Sequence, residues 1–203
     1  MNVFTGWTDI GLTDRGIEEA HAVARSLELE GLKFRTAFSS ALDRAKTTAS
    51  VILSDLGQTG IQITSDPALN ERDYGELTGM NKDEARARWG ESKVRKWRRS
   101  YEFGPPGGES LKDTAARVLP FYIRRILPEV IRASPVLVVA HGNSLRALVM
   151  ALDGLTANDI AEVEIATGDL LIYDLAPDTS VESKRIISAG LSTGHKPAVS
   201  SDS

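Results

Sequence analysis

The stretch that most constrains this chain is residues 135–148, PVLVVAHGNSLRAL. Residues 135–140 form a short, uncharged run rich in valine and leucine. Such a run reads as a fully buried strand of the parallel type. The chain then turns at His141-Gly142-Asn143 and enters SLRALVMAL, apolar at helical spacing, which Ser144 or Asn143 can cap. A histidine therefore stands at the carboxyl end of a strand, beside a helix N-terminus. Open α/β sheets bind their ligands at such places. Free backbone N–H groups and the helix dipole favour an anion there, typically a phosphate. Geometry alone explains the corner equally well as a histidine that only caps a turn.

The rest of the chain repeats the alternation. Residues 1–14 are rich in turn formers and open a helix at Thr13-Asp14, which Gly31 ends. His21 lies mid-helix and reads as a half-packed helical histidine. Residues 34–39 and 61–65 read as two more short strands, with a helix over 41–56 between them. Arg44 falls in the first turn of that helix, against the dipole preference. Residues 67–79, PALNERDYGELTG, read as a solvated polar loop that carries Glu71. Helices follow at 81–89 and 91–101. The second holds Arg98-Arg99 between Trp97 and Tyr101; such a cationic run usually marks a solvated face, and paired guanidinium groups can instead clamp an anion. A long amphipathic helix from Ser110 contains Pro120 and Pro128, and Pro120 should kink or divide it. A short helix at 157–161 and strands at 169–174 and 184–188 complete the pattern. The expected fold is α/β: a mostly parallel sheet flanked by helices on both faces. Residues 1–189 read as a single domain and residues 190–203 as a flexible C-terminal tail.

Composition narrows the function. A net charge of −4 argues against a nucleic-acid partner. Without cysteine there is no thiol nucleophile or cysteine metal site. No apolar run is long enough to span a bilayer, so the expected compartment is the cytoplasm. Three scattered histidines do not make a histidine-rich metal site. Convergent arginines in an acidic chain point to a small anionic substrate.

Several motifs then carry a resemblance. They are FTGW (4–7), SALDRA (40–45), LNERDYG (69–75), GMNK (79–82), WRRSY (97–101), PPGGES (105–110) and AHGNSLRALV (140–149). In this order over nearly the whole chain, they resemble the cofactor-dependent phosphoglycerate mutases of the histidine phosphatase superfamily. The resemblance implies an isomerase of glycolysis and gluconeogenesis. It would interconvert 2- and 3-phosphoglycerate through a phosphohistidine, primed by 2,3-bisphosphoglycerate and using no metal. It implies Glu71 as proton donor and acceptor for the substrate hydroxyl, and His141 as stabiliser of the transferring phosphoryl group. Arg44 would grip that group. Thr5, Gly6, Tyr74, Lys82, Arg98, Arg99, Gly142 and Asn143 would hold the phosphate and carboxylate of the substrate. A homo-oligomer is left open.

One departure stands against these matches. The nucleophile of the family lies in an Arg-His-Gly motif at the end of a first, internal strand, upstream of FTGW. These 203 residues begin Met1-Asn2-Val3 and contain no Arg-His-Gly. The chain is therefore expected to be N-terminally truncated, lacking that strand and the phosphorylated histidine, with an ordinary mutase encoded from further upstream. The alternatives are a catalytically dead phosphoglycerate-binding protein and a phosphatase of the same family.

Overall fold

The computed structural model describes residues 2–132 and 135–188. Helix α1 (Asp14–Leu29) starts where Thr13 Oγ1 accepts the Gly16 N–H at 3.1 Å. It closes at Gly31, whose φ of +66° suits glycine. Strand β1 (Thr36–Ser40) leads into α2 (Asp43–Asp55), and β2 (Ile63–Asp66) follows. Two 3₁₀ turns, Pro67–Leu69 and Gly75–Leu77, precede α3 (Lys82–Trp89) and α4 (Glu91–Arg99). Then come α5 (Leu111–Phe121), a π turn (Tyr122–Ile126) and α6 (Leu127–Ile131). The central corner is β3 (Val136–Val139) with α7 (Gly142–Leu152). The last elements are α8 (Asp159–Glu162), β4 (Asp169–Leu175) and β5 (Val181–Ser188).

The three-stranded sheet is parallel, in the order β2-β1-β3, with Phe38 opposite Thr64 on one side and Val138 on the other. Strand β1 is central, and its successive residues face opposite layers. Ala37 meets α1 and α2 through Ala20, Ala24, Leu27, Ile52 and Leu53. Phe38 meets α5 and α7, with its ring edge-on to Phe121 at 5.9 Å. The expected helices on both faces are thus present. A third apolar cluster, Phe4, Leu77, Ala85, Val94 and Trp97, packs α3 and α4 against the segments around Phe4 and Leu77.

Four expectations need correction. Strand β3 is not fully buried: only Leu137 is, and its neighbours are partly exposed. Among the described residues strand β4 pairs only with β5, in a separate antiparallel ladder. Between the free edges of β3 and β4 runs a cavity of about 1160 Å³, lined by residues 136–140 on one side and 169–175 on the other. The second correction is the 67–79 loop. It is not solvated: Leu69, Arg72 and Leu77 are fully buried. The third is the helix with two prolines. Pro120 sits within α5, and the break comes after it at the π turn, while Pro128 lies in the first turn of α6, where a missing N–H costs nothing. The fourth is the cap of α7, described below. The expected tail, 190–203, lies outside the described residues.

Candidate active site

The corner after β3 places His141 as the N-cap of α7, in extended backbone. This replaces the expected cap at Asn143 or Ser144. Ser144 still helps, because its Oγ accepts the His141 N–H at 3.1 Å. The imidazole turns towards the end of β1, where Nε2 lies 2.7 Å from Ser40 Oγ. Ser40 is fully buried, and the Leu42 N–H donates to the same oxygen at 3.2 Å. Burial first, then the charges of Arg44 and Arg117, push the imidazole down to about 3. At neutral pH His141 is therefore uncharged. It faces cations as a hydrogen-bonding group and not as a rival charge.

Glu71 is fixed twice. Its Oε1 accepts the Arg72 N–H at 2.6 Å and Asn143 Nδ2 at 2.8 Å. Asn143 Nδ2 also donates to the Tyr74 hydroxyl at 3.1 Å. Among the described residues Oε2 accepts no hydrogen bond, which leaves it for a substrate. The Glu71 carbonyl accepts Trp7 Nε1 at 2.5 Å and Arg117 Nη2 at 3.0 Å.

Arg117, reaching in from α5, is the hub of this loop. Its Nη1 donates to the carbonyls of Pro67, Ala68 and Asn70, and its Nε and Nη2 grip both oxygens of Glu109 at 2.8 Å. Burial alone would raise the Glu109 carboxyl. Arg117, the Asp73 N–H and Thr114 outweigh it and hold Glu109 below the usual range. The polar loop is thus buried because a side chain from another helix satisfies its carbonyls.

Cations line the same β3–β4 cavity. Arg44, Glu71, Lys82, Arg98, His141 and Gly142 all line it. Burial, then Arg98 and Arg86, lower the proton affinity of the Lys82 ammonium. This is the electrostatics of a site built for an anion. Arg44 donates to the carbonyls of Gly6 and Thr8 at 2.9 Å, drawing the FTGW loop onto the start of α2. Thr5 closes a turn in that loop, its carbonyl accepting the Thr8 N–H. Gly6 has φ +49°, and a Cβ there would crowd Thr78 and Tyr74, so a side chain is disfavoured on both counts.

The structure therefore brings together Gly6, Arg44, Glu71, Tyr74, Lys82, Arg98, His141, Gly142 and Asn143. It sets Arg99 apart, in an ion pair with Glu164. His21 is remote in role: it pairs with Asp55 across α1 and α2 at 2.6 Å. Sequence reading missed Ser40, Trp7, Glu109, Arg117 and Arg146. Only Arg146 left a local trace, as a lone charge inside the apolar run LRALVMAL. No group of three metal-ligating side chains occurs among the described residues, and none of their helices is long and apolar enough to cross a membrane.

Residues 1–185 match the family described as histidine phosphatase superfamily, branch 1. The chain is 58% identical over 185 residues to the 2,3-bisphosphoglycerate-dependent phosphoglycerate mutase of Methylorubrum populi, covering 91% of this chain and 87% of that one. It is equally similar, 58% over 188 residues, to the enzyme of that name from Brucella canis, covering 93% and 91%. Among solved structures it resembles a mycobacterial glucosyl-3-phosphoglycerate phosphatase in complex with inorganic phosphate, at 26% identity and a TM-score of 0.77 over 93% of both chains. It shares its fold with the α-ribazole phosphatase of Shigella flexneri, at 23% identity and a TM-score of 0.76, covering 96% of this chain and 92% of that one.

Proposed function

This chain belongs to the histidine phosphatase superfamily, and from that membership we propose that it is the body of a phosphoglycerate mutase that interconverts 2- and 3-phosphoglycerate in the cytoplasm. The observation that carries the reading is that Arg44, Glu71, Lys82, Arg98 and His141 line one cavity. Three cations there suit a substrate with a phosphate and a carboxylate. The same cations fit 2,3-bisphosphoglycerate, which supplies the priming phosphoryl group when bound.

Each residue then has a task. Arg44 and His141 face the transferring group, and the neutral imidazole donates a hydrogen bond without repelling Arg44. Glu71 exchanges a proton with the substrate hydroxyl through Oε2, while Oε1 stays anchored. Lys82, Arg98 and the Gly142 and Asn143 end of α7 hold the non-reacting anionic groups. Arg99 joins them by leaving Glu164.

The phosphorylated histidine of this scheme is assigned to an extended segment lying between β3 and β4. That cavity is bordered by two free strand edges and opens at its end onto His141 and Arg44. A strand there would run beside β3 and deliver its last residues to the cations.

The test compares two proteins, each primed with 2,3-bisphosphoglycerate. One is the 203-residue chain, and the other is extended upstream by a strand ending in Arg-His-Gly. The extended form is expected to isomerise 3-phosphoglycerate, and the short form to be inert. Inactivity of the extended form would overturn the mutase reading, and activity of the short form would overturn the assignment of the nucleophile. Release of inorganic phosphate without isomerisation would make the protein a phosphatase, as the solved relative with bound phosphate is named.

A further inference from the structure

Arg146 lies in the second turn of α7, 5% exposed, behind the residues just described. Its Nη2 donates to the Ile160 carbonyl, which ties α7 to α8. Its Nη1 donates to Asn143 Oδ1 at 3.2 Å, and its Nε has no partner. Among the described residues no carboxylate forms an ion pair with it. Burial first, then the charges of Arg72 and Arg99, bring its proton affinity down to about 10, so it remains a cation at neutral pH. A buried, unpaired cation is costly, and its geometry supplies a reason for keeping it.

We infer that Arg146 is a positioning residue that locks the side-chain amide of Asn143 with its N–H₂ towards Glu71. The argument is one of donors and acceptors. A guanidinium only donates, so the Asn143 atom facing Nη1 must be the oxygen. The amide nitrogen is then fixed on the far side, where it meets Glu71 Oε1 at 2.8 Å and the Tyr74 hydroxyl at 3.1 Å. A flipped amide would set N–H₂ against a cation and a carbonyl oxygen against a carboxylate, two repulsions at once. The line Ile160 carbonyl–Arg146–Asn143–Glu71 thus orients the carboxylate so that Oε2 is the atom offered to substrate. This inference rests on the proton-transfer role proposed for Glu71. The orientation itself is measurable without turnover.

The experiment follows hydrogen exchange of the Asn143 side-chain amide by NMR in the full chain, for wild type, Arg146→Met and Arg146→Lys. In Arg146→Met the amide should exchange about tenfold faster or more, because a hydrogen bond to a charged group has lost its geometry. The backbone amides of α7 should stay within about twofold, as expected for a change confined to one side chain. Arg146→Lys retains a donor and should fall between. Unchanged Asn143 exchange in Arg146→Met would overturn the inference, as would acceleration matched by all of α7, which marks a merely structural role. If Arg146→Met fails to fold, the Arg146→Lys ratio of Asn143 to α7 exchange decides alone. A second arm uses the upstream-extended form. There Arg146→Met should lower kcat with little change in KM, because the substrate anion is held by other residues. Loss of activity in the extended wild type would count against the mutase reading and leave the exchange result standing.

Discussion

The two sides of this site are built to different degrees. On the Glu71 side every element is held by another part of the described chain. Arg117 takes four carbonyls and a carboxylate, Glu109 takes the Asp73 N–H, and Asn143 and Arg72 take Oε1. On the His141 side the strand that carries the histidine ends at a free sheet edge beside the cavity. The difference separates two jobs. Holding the Glu71 carboxylate needs only side chains that reach across a loop. Completing the His141 side needs a backbone partner, because free N–H and C=O groups along β3 and β4 can be satisfied only by a further strand or by water.

The sharpest way to break this comparison is to fill the cavity. Supplying a strand between β3 and β4, as proposed for the upstream-extended form, should have the largest effect on stability. A strand pairs with its neighbours at a spacing of about 4.8 Å. Each buried polar group it satisfies is worth about 1–3 kcal/mol, and about 1 kcal/mol shifts the melting temperature of a chain this size by about 2–4 °C. A rise in Tm of about 10 °C or more is expected by calorimetry. Equal melting of the two forms would show that the gap is not a missing ladder.

A smaller effect tests the other side. Arg117→Met keeps the stem and removes the guanidinium. It leaves Glu109, four-fifths buried, as an uncompensated charge and strips donors from the carbonyls of residues 67–71. Breaking a buried pair from one side costs about 3–5 kcal/mol; the residual exposure puts this one at the lower end. The double variant Arg117→Met, Glu109→Gln should recover part of the loss, read by urea unfolding. Full additivity of the two substitutions would mean that they do not act as a pair.

These two sides were not equally legible in the sequence. The β3–α7 corner could be read locally, because a charge-free run followed by His-Gly-Asn and an apolar helix has few other outcomes. Thr13 and Gly31 were readable for the same reason, being caps whose effect lies within one turn. The 67–79 loop misled, because its burial depends on Arg117, far along the chain, and a string of polar residues carries no sign of the side chain that will satisfy it. Strand β3 misled in the other direction. Its composition fits a strand enclosed on both sides, and it lies at the edge of a cavity that such a composition would fill. Ser40 and Arg146 act through partners about a hundred and three residues away respectively. Only the nearer could have been suspected, as a charge within an apolar helix face.

The finest test of the comparison is titration, since the His141 imidazole lines the open side. Its imidazole is pushed down to about 3 in the folded chain by burial and by Arg44 and Arg117, against an ordinary value of about 6.5 in the unfolded chain. Between those values the unfolded state binds the proton and the folded state does not, so acid favours unfolding. Stability is therefore fully present above about pH 6.5 and falls as the pH drops towards about 3, with a slope of at most about 1.4 kcal/mol per pH unit from this one group. His141→Asn keeps a neutral hydrogen-bonding group near Ser40 and removes the titration. Urea unfolding at steps from pH 7 to pH 4 should give a shallower acid loss for His141→Asn than for wild type. A strand placed in the cavity should change the slope again, because it alters both the burial of the imidazole and the charges it meets. Identical slopes for wild type and His141→Asn would mean that the imidazole is already open to water. The open side would then extend to the His141 corner itself and not stop at the strand edge.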